Sequence, residues 1–372
     1  MTRLFYIANM RFPTERAHGI QVAKMCEAFA RNGARVTLLV PDRKTLSTDP
    51  FSYYGLERNF TVEKVQVPDV VSFGAIGFFI ESFLFARRAI RHANKEQGSI
   101  VYTREEWPLF FLPDQVAFYE AHQLRKSRFF RGLIKQAKGI VSISQGLKDA
   151  LVLAGYLEGK ILVAHDGYDE KQFVERISKS EARTRLVLPQ DRKIVMYVGG
   201  LEAWKGVETL CQAALFLKAD GIQVVVIGGT GEEKKRFEKR YPLITFLGAR
   251  PYVELPQNLQ AADILVLPNS ATSELGSKFT SPLKLFAYMA SGVPMVMANV
   301  PVLKEVVGST QAILFMPDDP HSLANAIGKA LDDPEAAQRT QAAKDMVKDF
   351  TWDKRAKNVL AYITQLCGTE SL

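Results

Sequence analysis

Short apolar runs alternate with amphipathic stretches along the whole chain. Residues 4–8 are apolar. A segment from about 19 to 32 follows with its apolar positions at helical spacing, and residues 36–40 are apolar again. Residues 99–102 and 139–143 read as further strands. Strand–helix alternation of this kind predicts a parallel sheet flanked by helices. A polar, charge-rich stretch over residues 169–189 interrupts it. The pattern then restarts with Lys193–Val198, 223–227, 244–247, Ile264–Leu267 and 294–298. The pattern predicts an α/β chain of two Rossmann-like halves, joined near residues 168–190. Residues 351–366 have helical periodicity and open on Thr-Trp-Asp, a capping sequence.

Residues 70–86 (VVSFGAIGFFIESFLFA) are the most apolar stretch. They contain Glu81 and fall short of the roughly 20 residues a membrane span needs. One reading is a buried helix of the α/β fold. The other is a helix lying on a membrane, because Arg87, Arg88, Arg91 and Lys95 follow at once. The N-terminal MTRLFYIAN lacks the long apolar region of a signal peptide and reads as a buried strand.

Composition narrows the field. At 372 residues the chain has room for two domains, and 47% hydrophobic with 24% charged residues excludes disorder. Cys26, Cys211 and Cys367 lie too far apart for a disulfide framework or a zinc site, which predicts a reducing, cytoplasmic setting. The net charge of +8 favours anionic partners. Residues 1–176 hold 25 basic and 19 acidic side chains, against 23 and 21 in the remainder, so most of the excess is in the first half. Its densest part is 124–138, where Arg125, Lys126, Arg128, Arg131, Lys135 and Lys138 stand without an acid and interleave with Phe129 and Phe130.

Several motifs are missing. No G-x-x-x-x-G-K-[ST] loop, no G-x-G-x-x-G after the first strand and no G-x-S-x-G elbow occur. No Asp-x-Asp pair or His/Cys cluster occurs either, which predicts no essential metal. Four patterns are present. Ala17-His18-Gly19 sits where a strand passes into a helix, and a helix N-terminus there suits a phosphate. Tyr119-Glu120-Ala121-His122 closes an apolar run, where an α/β fold places ligand contacts. Tyr197-Val198-Gly199-Gly200 leads through Trp204 to Lys205-Gly206, a strand, a glycine turn and a lysine that together make an anion site. In Thr280-Ser281-Pro282-Leu283, Ser-Pro reads as cap and first helical residue, with Gly292 ending that helix.

Taken in this order, the patterns resemble a family 4 glycosyltransferase of the GT-B fold. The resemblance spans nearly the whole chain. It runs from HGIQVAKMCEAFARNGARVTLL and EAH through VSISQGLKDAL and ILVAHDGYDEKQF. It continues with YVGGLEAWKGVETL, ITFLGARPYVELPQNLQAADILVLPNS and SPLKLFAYMASGVP, and ends on FTWDKRA. It implies two facing Rossmann-like domains: 1–170, joined by a C-terminal helix 351–372 that crosses back to it, and 171–350. The second would bind a UDP- or GDP-sugar, and the first an acceptor, either lipid-linked or polysaccharide. The implied reaction is hexosyl transfer with retention, without metal or resident cofactor.

The resemblance also implies roles for single residues. Gly19 would offer its backbone to the donor diphosphate, with Gly199 and Gly200 lining the same site. His122 would contact the donor sugar, and Lys205 would neutralise the departing diphosphate. Arg250, within 248–251, would line the base pocket. Thr280, Ser281, Pro282 and Leu283 would present backbone to phosphate and sugar. The basic, aromatic group Arg125, Lys126, Arg128, Phe129, Phe130 and Arg131 would border the acceptor or an anionic membrane on the inner face of the plasma membrane. No nucleic-acid motif is present.

Three departures stand out. Asp166-Gly167 replaces the usual Asn-Gly at the junction, and Gly200 replaces an arginine. Phe279 and Ala287 occupy the two slots eight apart where the family carries glutamates. The second glutamate normally holds the ribose, so Ala287 weakens the expected donor grip. A nucleotide-sugar 2-epimerase and a non-catalytic sugar-nucleotide binder share the architecture and remain as alternatives.

Overall fold

The computed structural model describes residues 2–44, 46–112, 116–217 and 221–368. The chain forms two compact units, one of Met1–Asp166 with Trp352–Leu372, the other of Gly167–Thr351.

The first unit is built on seven parallel strands: β1 (Arg3–Ile7), β2 (Arg35–Pro41), β3 (Thr61–Val65), β4 (Ile100–Thr103), β5 (Val116–Ala121), β6 (Gly139–Ser142) and β7 (Ile161–Val163). Their order is β3-β2-β1-β4-β5-β6-β7. β1 is central, with Tyr6 in register with Leu38 on one side and Tyr102 on the other. Both faces of such a sheet are covered, so Leu4, Phe5, Tyr6 and Ile7 are all buried and β1 reads as a continuous apolar run. The helix Ala17–Arg31 lays Val22, Met25, Cys26 and Phe29 on the sheet. It starts two residues before Gly19, which therefore lies in its first turn.

The terminal helix Trp352–Gly368 belongs to this unit. Trp352, Ala356, Val359 and Ile363 make its buried stripe at helical spacing. Asp353 is 3.0 Å from Arg31 of the first helix, and Tyr362 stacks edge-on to Phe118 of β5.

The second unit has six parallel strands: β8 (Lys193–Val198), β9 (Ile222–Ile227), β10 (Thr245–Gly248), β11 (Ile264–Leu267), β12 (Met295–Ala298) and β13 (Ile313–Phe315). Their order is β10-β9-β8-β11-β12-β13. Its core gathers Val195, Leu210, Val225, Leu265, Phe286, Val296 and Ile327. In both sheets the strand order reverses direction beside the first strand. That leaves a crevice at the carboxyl ends of β1 and β4, and another at those of β8 and β11, where α/β sheets hold ligands.

Two expectations need correcting. The helix with Gly292 at its left-handed C-cap is Leu283–Ser291, and Pro282 holds the N-cap position in extended backbone. Ser281 is therefore not the cap, and Pro282 is not the first helical residue. Residues 70–86 are buried only in their second half. A 3-10 turn, Val71–Phe73, leads into the helix Gly74–Ala93. Phe85, Ala86, Ala89 and Ile90 are buried, while Phe73, Ile76, Phe79 and Ile80 are exposed. Apolar composition predicted a helix. It did not say that only part of the helix has the sheet beneath it.

The loop after β8 presses on the loop after β11 at Gly206. Its φ is 68°, and a Cβ there would lie 1.8 Å from the Pro268 carbonyl oxygen. Gly206→Ala is expected to cost more than about 1 kcal/mol, with backbone strain and collision adding. A thermal scan showing an unchanged Tm would contradict the close approach.

Candidate functional site

In the first unit the carboxyl end of β5 delivers Glu120 into the interior, and the chain turns out to place His122 at the surface of the crevice. Glu120 is fully buried, and its carboxylate accepts from Gln21, from the Tyr102 hydroxyl, from His122 Nε2 at 2.7 Å and from Arg355 at 3.3 Å. Burial alone would raise its pKa. Arg355 and the His122 hydrogen bond outweigh burial and hold it well below the usual carboxylate range. An ionised Glu120 makes His122 Nε2 the donor and leaves Nδ1 as the acceptor of a neutral ring. Burial and then the Arg104 guanidinium hold His122 down at about 4. The same two causes, joined by Arg16, hold His18 at about 4. Arg104 also donates to Gln21 Oε1 at 3.0 Å. Arg355 reaches Asp166 at 3.8 Å, and burial pushes Asp166 up to about 7.

Gly19 is explained by packing. A Cβ there would stand 2.3 Å from the Tyr54 hydroxyl, which itself bonds the Thr14 backbone. Its N–H goes to the Arg16 carbonyl at 2.9 Å. The backbone contact expected of Gly19 thus finds its N–H already engaged. Arg125 is also committed: it pairs with buried Glu106 at 3.0 Å, and Glu106 takes the Tyr119 hydroxyl as well. Lys126, Arg128 and Phe129 are exposed, and Phe130 and Arg131 are half-buried.

In the second unit the carboxyl end of β8 opens into Gly199-Gly200. The Tyr197 hydroxyl donates to the Gly200 carbonyl at 2.8 Å and accepts from Lys284 Nζ at 2.9 Å. The Lys284 ammonium also lies 4.2 Å from the centre of the Tyr197 ring. Lys205 and Glu202 pair at 2.8 Å. A Cβ on Gly200 would stand 2.2 Å from the Glu202 carboxylate and 2.7 Å from Lys205 Nζ. A side chain at this position would therefore make the flexible ends of that ion pair shift. Burial, then the Lys205 ammonium, push Lys284 well below the usual lysine range, and Glu202 opposes them.

Lys284 was missing from the sequence reading, although one signal pointed to it. It sits in the first turn of a helix, where the macrodipole disfavours a cation. Ala287 lies one turn further on, on the same side, and is buried. Thr280 gives its N–H to the Leu275 carbonyl, and Pro282 has none, so two of the four backbone positions expected to donate there do not. Ser281 is buried, and Leu283 is the first helical residue. Arg250 is exposed beyond β10, away from the Lys205 and Lys284 group in sequence and in strand order. Among the described residues no group of three His, Cys, Asp or Glu side chains is placed to hold a metal ion.

Residues 178–346 match the model of the glycosyl transferases group 1. The matched stretch is a little under half of the chain. The matched stretch holds all six strands of the second unit and both lysines described above. An uncharacterized glycosyltransferase of Methanocaldococcus jannaschii is 25% identical over 59% of this chain and 58% of its own length. The D-inositol 3-phosphate glycosyltransferase of Corynebacterium diphtheriae is 31% identical over 48% of this chain and 44% of its own. The chain spans about half the length of the curated relatives it matches. Among solved structures, Anabaena HepE in complex with UDP and glucose has a TM-score of 0.76 at 18% identity, covering 98% of this chain and 100% of that one. The sucrose-phosphate synthase of Thermosynechococcus elongatus has a TM-score of 0.75 at 21% identity, covering 99% and 100%. The fold is that of the GT-B glycosyltransferases, and the stretch that matches the group 1 model lies in its second Rossmann-like domain.

With pKa values near 4, His18 and His122 are expected to stay neutral as the pH falls from 8 to about 5.5. Their imidazole proton resonances in NMR should be stationary over that range. A midpoint near 6.5 for either ring would contradict the arrangement.

Proposed function

We propose that the chain is a glycosyltransferase that moves a hexose from a UDP- or GDP-sugar to a lipid-linked or polysaccharide acceptor, with retention at the anomeric carbon. The observation that carries this reading is the convergence of Lys205 and Lys284 beside the Gly199-Gly200 turn of the stretch that matches the group 1 model. Breaking the bond between a sugar and a nucleoside diphosphate leaves negative charge on the departing phosphate. Fixed ammonium groups in a partly water-excluded site stabilise that charge without a metal, and they are oriented before the reaction begins. Lys205 is paired with one carboxylate and lies near Lys284, whose charged form burial disfavours, so an arriving diphosphate would attract Lys205 and favour protonation of Lys284. In this reading Nδ1 of neutral His122 accepts a hydrogen bond from a hydroxyl of the transferred sugar. No side-chain nucleophile is assigned, and the nucleotide-sugar is a substrate rather than a resident cofactor.

Ala287 favours a second reading, a non-catalytic sugar-nucleotide binder. A carboxylate at this position would grip the ribose with a charge-assisted hydrogen bond, which is typically worth about 1.5–3 kcal/mol. Lys284, one turn away, would offset the burial of that charge.

A thermal-shift screen against UDP- and GDP-sugars tests the first reading. A donor at 100 times its Kd adds about 2.7 kcal/mol to stability and should raise the Tm clearly. A chain that no sugar nucleotide stabilises would overturn both readings. A stabilising nucleotide without transfer to any glycan or lipid-linked acceptor selects the binder. In calorimetry Ala287→Glu is expected to tighten donor binding about tenfold or more. Equal affinity in the two chains would remove Ala287 from the argument.

A further inference from the structure

Three segments of the first unit, distant in sequence, bring their aromatic rings to one place. Trp107, in the short helix Trp107–Phe110, lies 5.0 Å from Phe79 of the helix Gly74–Ala93, measured between ring centres. It lies 5.9 Å from Phe129 and 5.4 Å from Phe130 of the helix Arg128–Ile134. Phe110 and Phe129 also touch. This cluster is not covered. Phe79, Phe110 and Phe129 are each about half exposed, and Phe73 and Ile76 at the start of the long helix are 77% and 75% exposed. Contiguous apolar surface of this kind marks an interaction site, whereas scattered apolar residues do not.

The charges beside it name the occupant. Lys126 and Arg128 are exposed next to Phe129, within a stretch, 124–138, that carries six cations and no acid. Of the carboxylates around it, Glu106 is held by Arg125 and buried Glu81 by Arg43, Glu105 is half-buried, and Asp69 is the exposed acid on the approach to Phe73. A second copy of the chain fits poorly, because a two-fold contact sets each patch against its own kind and brings like cations together. An acidic surface with an apolar interior fits both features. No described helix is long and apolar enough to cross a membrane. The contact therefore has the depth of an interfacial helix, about 5–10 Å into the headgroup and acyl boundary.

We propose that the face formed by Phe73, Ile76, Phe79, Phe110 and Phe129, with Lys126 and Arg128 at its edge, docks the protein on an anionic phospholipid bilayer. The exposed rings and Ile76 enter the boundary layer, while the two cations remain among the headgroups. This goes beyond the reaction assigned above and requires no donor or acceptor, so either one can fail while the other stands.

The full chain is sedimented with vesicles of phosphatidylcholine alone and with vesicles containing about one-third phosphatidylglycerol. Binding is expected to the second, with marked weakening in high salt. Lys126→Gln and Arg128→Gln should each weaken it about fivefold. Phe73→Ser with Ile76→Ser leaves the charge unchanged and removes only exposed side chains, so folding is preserved and the Tm should not move. This pair should weaken binding tenfold or more. Equal sedimentation with both vesicle types, or with neither, would overturn the proposal. So would binding that the Phe73 and Ile76 changes leave untouched, since that is simple electrostatic adsorption. Dimerisation in analytical ultracentrifugation that the same pair abolishes, without vesicle binding, would assign the face to a second copy instead.

Discussion

The first unit is organised around one buried negative charge. Glu120 has no contact with solvent, and taking a carboxylate out of water costs several kcal/mol unless its partners are well placed. Those partners come from four separate parts of the chain: Gln21 from the first helix, Tyr102 from β4, His122 from the turn after β5, and Arg355 from the terminal helix. Each is held where it is because the carboxylate needs it. The orientation of His122 follows, and with it the tautomer of the one ring that the fold presents at the end of β5. Removing one partner would leave a charge stranded in the interior, which is far costlier than losing a surface ion pair.

The second unit shows the opposite case. Two lysines and one carboxylate surround a pair of glycines; Lys205 is paired with Glu202, while burial and the Lys205 ammonium disfavour the charged form of Lys284. Lys284 is unfavourably placed in several respects: buried, near another cation and at the positive end of a helix. Such a placement persists in a fold only when the surroundings over-determine it. Here they do so through the hydroxyl and ring of Tyr197, itself locked into the core of β8.

Much of this was legible in the sequence. The strands of both sheets appear as apolar runs because a doubly covered parallel sheet leaves no polar face to interrupt them. Lys205 and His122 stand out as candidates because each follows such a run, and a strand end in this fold faces its crevice. Other features were hidden for physical reasons. Gly19 reads as a phosphate turn in one dimension, and only the packed Tyr54 hydroxyl shows what its missing side chain is for. Arg125 looked like one of a row of surface cations until Glu106 was seen to hold it. Residues 70–86 have a helical pattern throughout, but composition cannot report that Phe85 and Ala86 are buried while Phe73, Ile76, Phe79 and Ile80 are exposed. The Glu120–Arg355 pairing leaves no local trace, because its members are 235 positions apart.

That separation bears on how the protein is made. A ribosome releases β5 with its acid long before it releases the helix Trp352–Gly368 that carries the matching guanidinium. Until then Glu120 lacks its cationic partner and β6 lacks the helix that packs on it. The segment Gly167–Thr351 has no such debt, since every strand of its sheet lies within it. The first unit, though translated first, therefore gains its covering helix only after the whole of Gly167–Thr351 has been made.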